Sequence, residues 1–190
     1  MDSLRASRRR FLGILGAGAL ATLAPGIVSA AEQCDAGPFI NTAARAFMRA
    51  ANGGSPNAFS SAVARFSNIE SLALNALGPY RSKLPRARQQ EYVRRTKAYI
   101  GRLLADNASR FSGNGITVNS CKQSGGALIV DSRLSSGERI IWRLAGSRRG
   151  YRVEDVSVQR IWLAQQLRTT FVRKIRTNGN SVEALIDELG

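Results

Sequence analysis

The sequence predicts an α+β fold, in which helices pack around an antiparallel sheet of about four strands. Apolar residues recur at helical spacing up to about residue 109 and again after residue 160. Between residues 116 and 158 apolar and polar positions alternate, and glycine and serine turns divide the segment. Runs of helices and strands that do not alternate with one another are typical of the α+β class.

Four helices are predicted before the strands. Ile40, Ala44 and Met48 fall on one face of the first helix, and the glycines and proline of 52–56 end it. Pro85 suits the first turn of the long fourth helix. The predicted helices span 38–51, 57–66, 69–77 and 85–109.

The sheet and two closing helices follow. Leu163, Leu167 and Phe171 form the inner stripe of the first closing helix. The predicted strands span 116–118, 127–131, 138–144 and 151–158, and the closing helices 160–176 and 182–189.

A row of basic residues lies on the fourth helix. Arg88, Arg95 and Arg102 recur every seven positions and therefore share one face. This row is interpreted either as a solvated face or as a docking surface for anionic lipid or a protein partner.

The N-terminus predicts export. Residues 1–30 combine a basic start, a mostly apolar run interrupted by Pro25, and the small residues Val-Ser-Ala at 28–30, as in a signal peptide. The segment 7–12, Ser-Arg-Arg-Arg-Phe-Leu, matches the twin-arginine pattern, an export address read by a receptor. An amphipathic anchor or membrane helix is the alternative. The expected mature chain, 31–190, is long enough for one domain.

Charge and cysteines restrict the partners and the compartment. The expected mature part has 24 basic and 12 acidic residues, a net charge of +12. This charge suits an anionic partner, and export argues against nucleic acid. Cys34 and Cys121 would meet an oxidising compartment, so they are expected either to pair in a disulfide or to remain two buried thiols.

The residue types argue against catalysis. The chain has no histidine, which removes Ser-His-Asp and Cys-His catalysis and the commonest metal ligand. Two widely separated cysteines predict no metal site, and no nucleotide-binding glycine pattern predicts a cofactor. Glu154 and Asp155 on the fourth strand are the remaining candidates for a base. The simpler alternative is a hydrogen-bonded Asp155 and a surface Glu154.

Several segments together resemble the MlaC-type periplasmic lipid-binding proteins, also called toluene-tolerance or auxiliary transport proteins. The family has a similar Leu-Gly-x-Tyr run, then proline, then a helix rich in tyrosine and phenylalanine. The matching segments are 77–81 (LGPYR), 85–104, 140–144 (IIWRL), 150–156 (GYRVEDV) and 185–189 (LIDEL). At 160–163 this chain has Arg-Ile-Trp-Leu where the family has glycine, valine, serine and leucine.

The resemblance implies a curved sheet and helices that enclose a deep apolar pocket for acyl chains, without catalysis. It implies a periplasmic carrier that moves phospholipid between an outer-membrane lipoprotein complex and an inner-membrane ABC transporter complex. A hopanoid-linked branch is similar, so a polycyclic lipid is an alternative cargo. The residues expected to line the pocket are Leu72, Leu77, Tyr80, Tyr99, Leu103, Trp142, Val153, Val156, Val158 and Leu163.

Apolar periodicity alone does not distinguish a filled core from a cavity. Two other functions therefore stay open at this point. One is an exported enzyme that acts through Asp155. The other is a basic adaptor with a filled core that binds another envelope protein.

Overall fold

The computed structural model describes residues 34–111, 113–147 and 150–190, so the predicted export signal at 1–30 lies outside the described residues. Six helices and five strands are present in these ranges, with short 3₁₀ turns between some of them. The helices are α1 (Gly37–Gly53), α2 (Pro56–Phe66), α3 (Ile69–Ala76), α4 (Gln89–Asp106), α5 (Leu163–Thr177) and α6 (Val182–Glu188). The strands are β1 (Ile116–Ser124), β2 (Ala127–Leu134), β3 (Arg139–Ala145), β4 (Arg152–Val158) and β5 (Ile161–Trp162).

The five strands form one antiparallel sheet in the order β1-β2-β3-β4-β5. The pairing register shifts between Val118 and Ser120 on β1, and between Arg143 and Leu144 on β3. Such bulges bend a strand and increase its twist. Side chains alternate between the two faces, so Ile140, Trp142 and Leu144 lie on the buried face of β3.

Local capping explains where several helices begin. Ser55, Asn68 and Ser181 each accept a hydrogen bond from a backbone amide in the first turn that follows. A Cβ at Gly101 of α4 would meet the Ser60 hydroxyl and the Pro56 carbonyl oxygen of α2. Glycine at this position therefore permits the close approach of α2 and α4.

The apolar interior is divided into two clusters. The sheet cluster consists of α1 and the buried faces of the strands, with Phe66 of α2. The helical cluster consists of residues from α2 to α6, with Tyr92 and Phe171 among its fully buried members. Phe47 of α1 packs against both clusters.

Cys34 and Cys121 form a disulfide with their Cα atoms 5.6 Å apart, which confirms the predicted pairing and excludes two separate thiols. Cys34 precedes α1 and Cys121 lies on β1, the edge strand. The bond closes 87 positions of chain and fixes the start of α1 to the sheet.

The mixed fold class is confirmed, with two corrections. The predicted fourth helix is divided into Arg86–Arg88, α4 and Ala108–Phe111. The predicted helix at 160–176 is wrong at its start, because Arg160 lies in a turn and Ile161–Trp162 pair with β4 as a fifth strand. Within the described ranges, no helix has the length and apolarity needed to cross a membrane.

Candidate functional site

A cavity of about 250 Å³ lies between the sheet cluster and the helical cluster. Residues of both clusters face it, so each cluster leaves part of its apolar surface unfilled at the boundary. Its apolar wall consists of Ala44, Phe47 and Met48 (α1), Val63 and Phe66 (α2), Leu72 (α3), Leu103 and Leu104 (α4), Phe111, Leu134 (β2), Ile140 and Trp142 (β3), Val153, Val156 and Val158 (β4), Ile161 (β5) and Leu163 (α5).

Two consecutive buried hydrogen bonds support the part of the cavity wall that the sheet provides. The indole Nε1 of Trp142 donates to the Ser132 hydroxyl at 2.8 Å, and that hydroxyl donates to the Ile140 carbonyl at 2.9 Å. All three residues are buried, so each polar atom that is withdrawn from water has a partner. These two hydrogen bonds fix the orientation of the Trp142 ring on the cavity wall.

Polar side chains border the same cavity: Ser67, Asn107, Arg110, Glu154, Asp155 and Gln166. Arg110, Glu154 and Gln166 are exposed, which places the mouth of the cavity beside them. Arg110 is the only cationic residue on the described wall. A cavity with apolar walls and a charged mouth suits an amphipathic molecule, whose apolar part lies inside and whose polar part lies near water.

The β4–β5 hairpin forms one side of this mouth. Val158 pairs with Ile161, and the intervening Gln159 and Arg160 have φ angles of 52° and 67°. Two-residue hairpin turns favour such positive φ values, which Asn-Gly adopts easily. The Arg110 guanidinium donates to the Gln159 side-chain oxygen at 2.6 Å, which connects the hairpin to the segment after α4.

Asp155 anchors α5 to the sheet. Its Oδ1 accepts hydrogen bonds from the Ala164 amide at 3.0 Å and the Val156 amide at 2.9 Å. The Ala164 amide lies in the first turn of α5, which has no side-chain cap from its own N-cap residue. Burial raises the pKa of Asp155 above its ordinary value, and the two amides and the charge of Arg143 oppose that rise.

This geometry favours the hydrogen-bonded interpretation of Asp155. Oδ1 of Asp155 accepts two backbone amides, which gives the carboxyl an anchoring role, and Glu154 is exposed. No group of three or more potential metal ligands occurs among the residues that the structure describes.

Seven of the ten residues predicted to line the pocket lie on the cavity wall: Leu72, Leu103, Trp142, Val153, Val156, Val158 and Leu163. The other three lie away from this cavity. Leu77 is fully buried in the helical cluster, and the Tyr99 ring packs edge-on against Phe171 at 5.4 Å. Tyr80 donates from its hydroxyl to the Asn180 side chain at 2.6 Å. Periodicity identified their apolar faces but not which neighbour covers them.

Sequence reasoning missed the part of the wall that comes from the first two helices. The sequence places Ala44 and Met48 on one face of a helix and Phe66 at the end of another, and Phe47 lies within the first of these helices. Helical spacing indicates that such residues are covered, but it does not indicate whether a side chain or an empty space covers them. No sequence signal distinguished these positions from ordinary core.

The side chains of the Arg88, Arg95 and Arg102 row are engaged within the chain, with Arg88 in the 3₁₀ turn that precedes α4 and the other two on α4. Arg88 donates to Asp187 at 2.7 Å and to Glu91 at 3.0 Å, and these hydrogen bonds, together with its charge, lower the pKa of both carboxyls. Arg95 donates to the carbonyls of Ile186 and Asp187.

Arg102 continues this pattern with a hydrogen bond to the Leu189 carbonyl at 2.7 Å. The last carbonyls of a helix have no partner within it, and cationic donors stabilise that end. The row therefore fastens α6 to α4. Arg88 and Arg95 are partly buried and Arg102 is exposed, and docking on this face stays a prediction.

Comparison with protein families and with solved structures gives matches. The family model described as "MlaC protein" matches residues 50–190. A solved structure described as the phospholipid-binding protein from Ralstonia solanacearum, in complex with a phospholipid, is similar with a TM-score of 0.65. It has 17% sequence identity, and the similarity covers 78% of this chain and 90% of that one. No curated protein matches the chain.

At this identity the solved structure supports the fold alone, whereas the family model spans well over half of the chain. The segments at 77–81, 140–144, 150–156 and 185–189, on which the resemblance depended, all fall inside the matched range. The chain therefore belongs to the MlaC family.

Proposed function

We propose that the protein is a periplasmic lipid carrier that holds acyl chains in the cavity between its two clusters and performs no chemistry on them. The observation that carries the proposal is the unfilled apolar space beneath a mouth with exposed polar groups. The similar Ralstonia solanacearum protein is described as bound to a phospholipid, which supports the same class of cargo.

The physical need for such a cavity follows from the cost of exposing acyl chains. At about 0.8 kcal/mol per methylene, two chains of roughly sixteen carbons would cost on the order of 25 kcal/mol to expose to water. A carrier must therefore cover the chains nearly completely. The headgroup can stay at the mouth, where Arg110 is positioned to pair with a phosphate.

The rest of the proposed role comes from the family and the export signal. The carrier is exported through the twin-arginine route and moves phospholipid between an outer-membrane lipoprotein complex and an inner-membrane ABC transporter complex. The net charge of +12 on residues 31–190 would steer it toward anionic surfaces, an effect mainly on association rate that salt weakens.

The proposal is tested by native mass spectrometry of the protein recovered from the periplasm, followed by solvent extraction and identification of the released lipid. We expect a lipid adduct at one copy per chain. Extraction also distinguishes a diacyl phospholipid from a hopanoid. An apo mass that does not change after incubation with lipid vesicles would contradict the proposal.

A pair of identical substitutions tests the location of the lipid. Val156→Phe places a ring in the cavity and should lower lipid occupancy several-fold. Val93→Phe adds the same volume beside the helical cluster, away from the cavity, and should leave occupancy unchanged. Equal occupancy in both variants would show that the lipid lies elsewhere.

A further inference from the structure

The tip of the β4–β5 hairpin has two residues in an unfavourable backbone conformation, followed by an exposed apolar side chain. Gln159 and Arg160 adopt positive φ without being glycine, asparagine or aspartate. This conformation is unfavourable for L residues because it brings Cβ too close to the following carbonyl oxygen. The two-residue turn requires these angles, and unfavourable backbone conformations of this kind cluster at ligand clamps and switch regions.

Ile161, the next residue, is the only large hydrophobic side chain that is exposed among the described residues, at 57%. A single exposed apolar residue on a protein surface is ordinary. The position of Ile161 is unusual, because this exposed residue also borders the cavity. It pairs with Val158, another wall residue, so an apolar path runs from the cavity wall to the hairpin tip.

Cationic groups surround this tip. Arg160 is exposed, and its side chain makes no hydrogen bond or ion pair with any residue that the structure describes. Arg110 reaches the hairpin through Gln159, and the Arg143 guanidinium lies 5.7 Å from the ring centroid of Trp162. Two acidic residues oppose these three positive charges. Glu154 is exposed, and Asp155 accepts hydrogen bonds from backbone amides.

We infer that the β4–β5 hairpin is a contact element for an anionic bilayer surface. Ile161 enters the boundary between headgroups and acyl chains, and Arg160 and Arg110 lie among the phosphates. This inference rests on the proposed lipid-carrier function. It adds that the carrier presents its mouth to the bilayer directly, so that an acyl chain passes along Val158 and Ile161 without crossing open water.

Charge complementarity favours an anionic lipid surface as the partner of the β4–β5 hairpin. A basic residue near an anionic bilayer contributes about 1 kcal/mol to binding, roughly a fivefold change in affinity. A partly buried isoleucine adds an apolar contribution of a similar order. Basic and apolar residues side by side at an exposed tip are the combination that binds at a membrane interface.

The test measures association of the delipidated, periplasm-derived protein with vesicles of phosphatidylcholine containing 30% phosphatidylglycerol, by flotation at low salt. Arg160→Gly removes the charge and also relieves the positive-φ strain, so a loss of binding would not reflect unfolding. Ile161→Ser removes the apolar contact. Each variant should weaken association about fivefold.

Lys122→Glu is the control for net charge. It lies on β1, at the opposite edge of the sheet, so roughly 19 Å separate it from β5 at about 4.8 Å per strand. It should change association less than Arg160→Gly does, although it changes the net charge by twice as much. Equal or greater weakening by Lys122→Glu would overturn the inference, because it would show a general charge effect.

A second measurement separates this inference from the proposed function. Binding of a short-chain phosphatidylglycerol, used below its critical micelle concentration, reports the cavity without a bilayer. Normal binding of this lipid by Arg160→Gly, which does not alter the cavity wall, with weakened vesicle association, supports the inference. Vesicle association that is unchanged in both variants would assign the hairpin to the cavity or to a protein partner and overturn it. Failure of the unsubstituted protein to bind either would overturn the carrier proposal as well.

Discussion

Replacing Ala44 by leucine should stabilise the protein, whereas the same replacement at Ala43 should destabilise it. The two alanines are adjacent on α1, both belong to the sheet cluster, and both are buried, with 3% and 0% of their surface exposed. Only Ala44 borders the cavity. The pair therefore compares an unfilled space with a filled core on one helix.

The magnitudes follow from the difference in free space. Three added carbons at about 0.8 kcal/mol each contribute about 2 kcal/mol when they are buried in an empty apolar space. Ordering the leucine side chain costs roughly 0.5–1 kcal/mol of this. At Ala43 the same atoms meet packed neighbours, and overpacking costs about 1–3 kcal/mol.

The assay is thermal unfolding of the delipidated protein, since bound lipid would itself stabilise the folded state. A change of 1 kcal/mol shifts the Tm of a domain of this size by roughly 2–4 °C, so the two variants should lie on opposite sides of the unsubstituted protein. Ala44→Leu should also reduce lipid occupancy. If both variants melted earlier by a similar amount, the boundary between the clusters would be filled and the reasoning would be refuted.

Three further predictions concern the framework around the cavity. Arg95→Ala removes the donors to the Ile186 and Asp187 carbonyls, so amide exchange in α6 should accelerate, while Arg94→Ala on the same helix should leave it unchanged. Reduction of the Cys34–Cys121 bond should lower stability by about 4–5 kcal/mol on the chain-entropy estimate for a loop of 87 positions, measured by urea unfolding with and without reductant; an equal midpoint would contradict it. Burial raises the folded-state pKa of Asp155, so the folded state binds its proton more tightly, and stability should decline as the pH rises from about 4 through the raised value. Asp155→Asn keeps an Oδ1 acceptor for both amides but does not titrate, so the urea midpoint of this variant should fall less as the pH rises. If the midpoints of the variant and the unsubstituted protein changed in parallel with pH, the decline would not come from Asp155.

The sequence determined the local features of the fold because they depend on near neighbours. Apolar period and turn residues indicated six helical regions and four strands, all of which the structure contains in some form. The sequence did not predict β5, because this strand has only two residues, too few to show an alternating pattern. Its pairing depends on the Gln159-Arg160 turn, whose residues are not typical of a hairpin.

The tertiary structure alone decided which apolar faces meet and which do not. Trp142 and Val156 face a cavity, whereas Leu77 and Tyr99, with equally apolar sequence surroundings, are covered by the helical cluster. The Arg88, Arg95 and Arg102 row was visible in the sequence, but its partners on α6 lie more than 80 positions away. Spacing along the chain determines which side chains share a face, and only packing determines what covers that face.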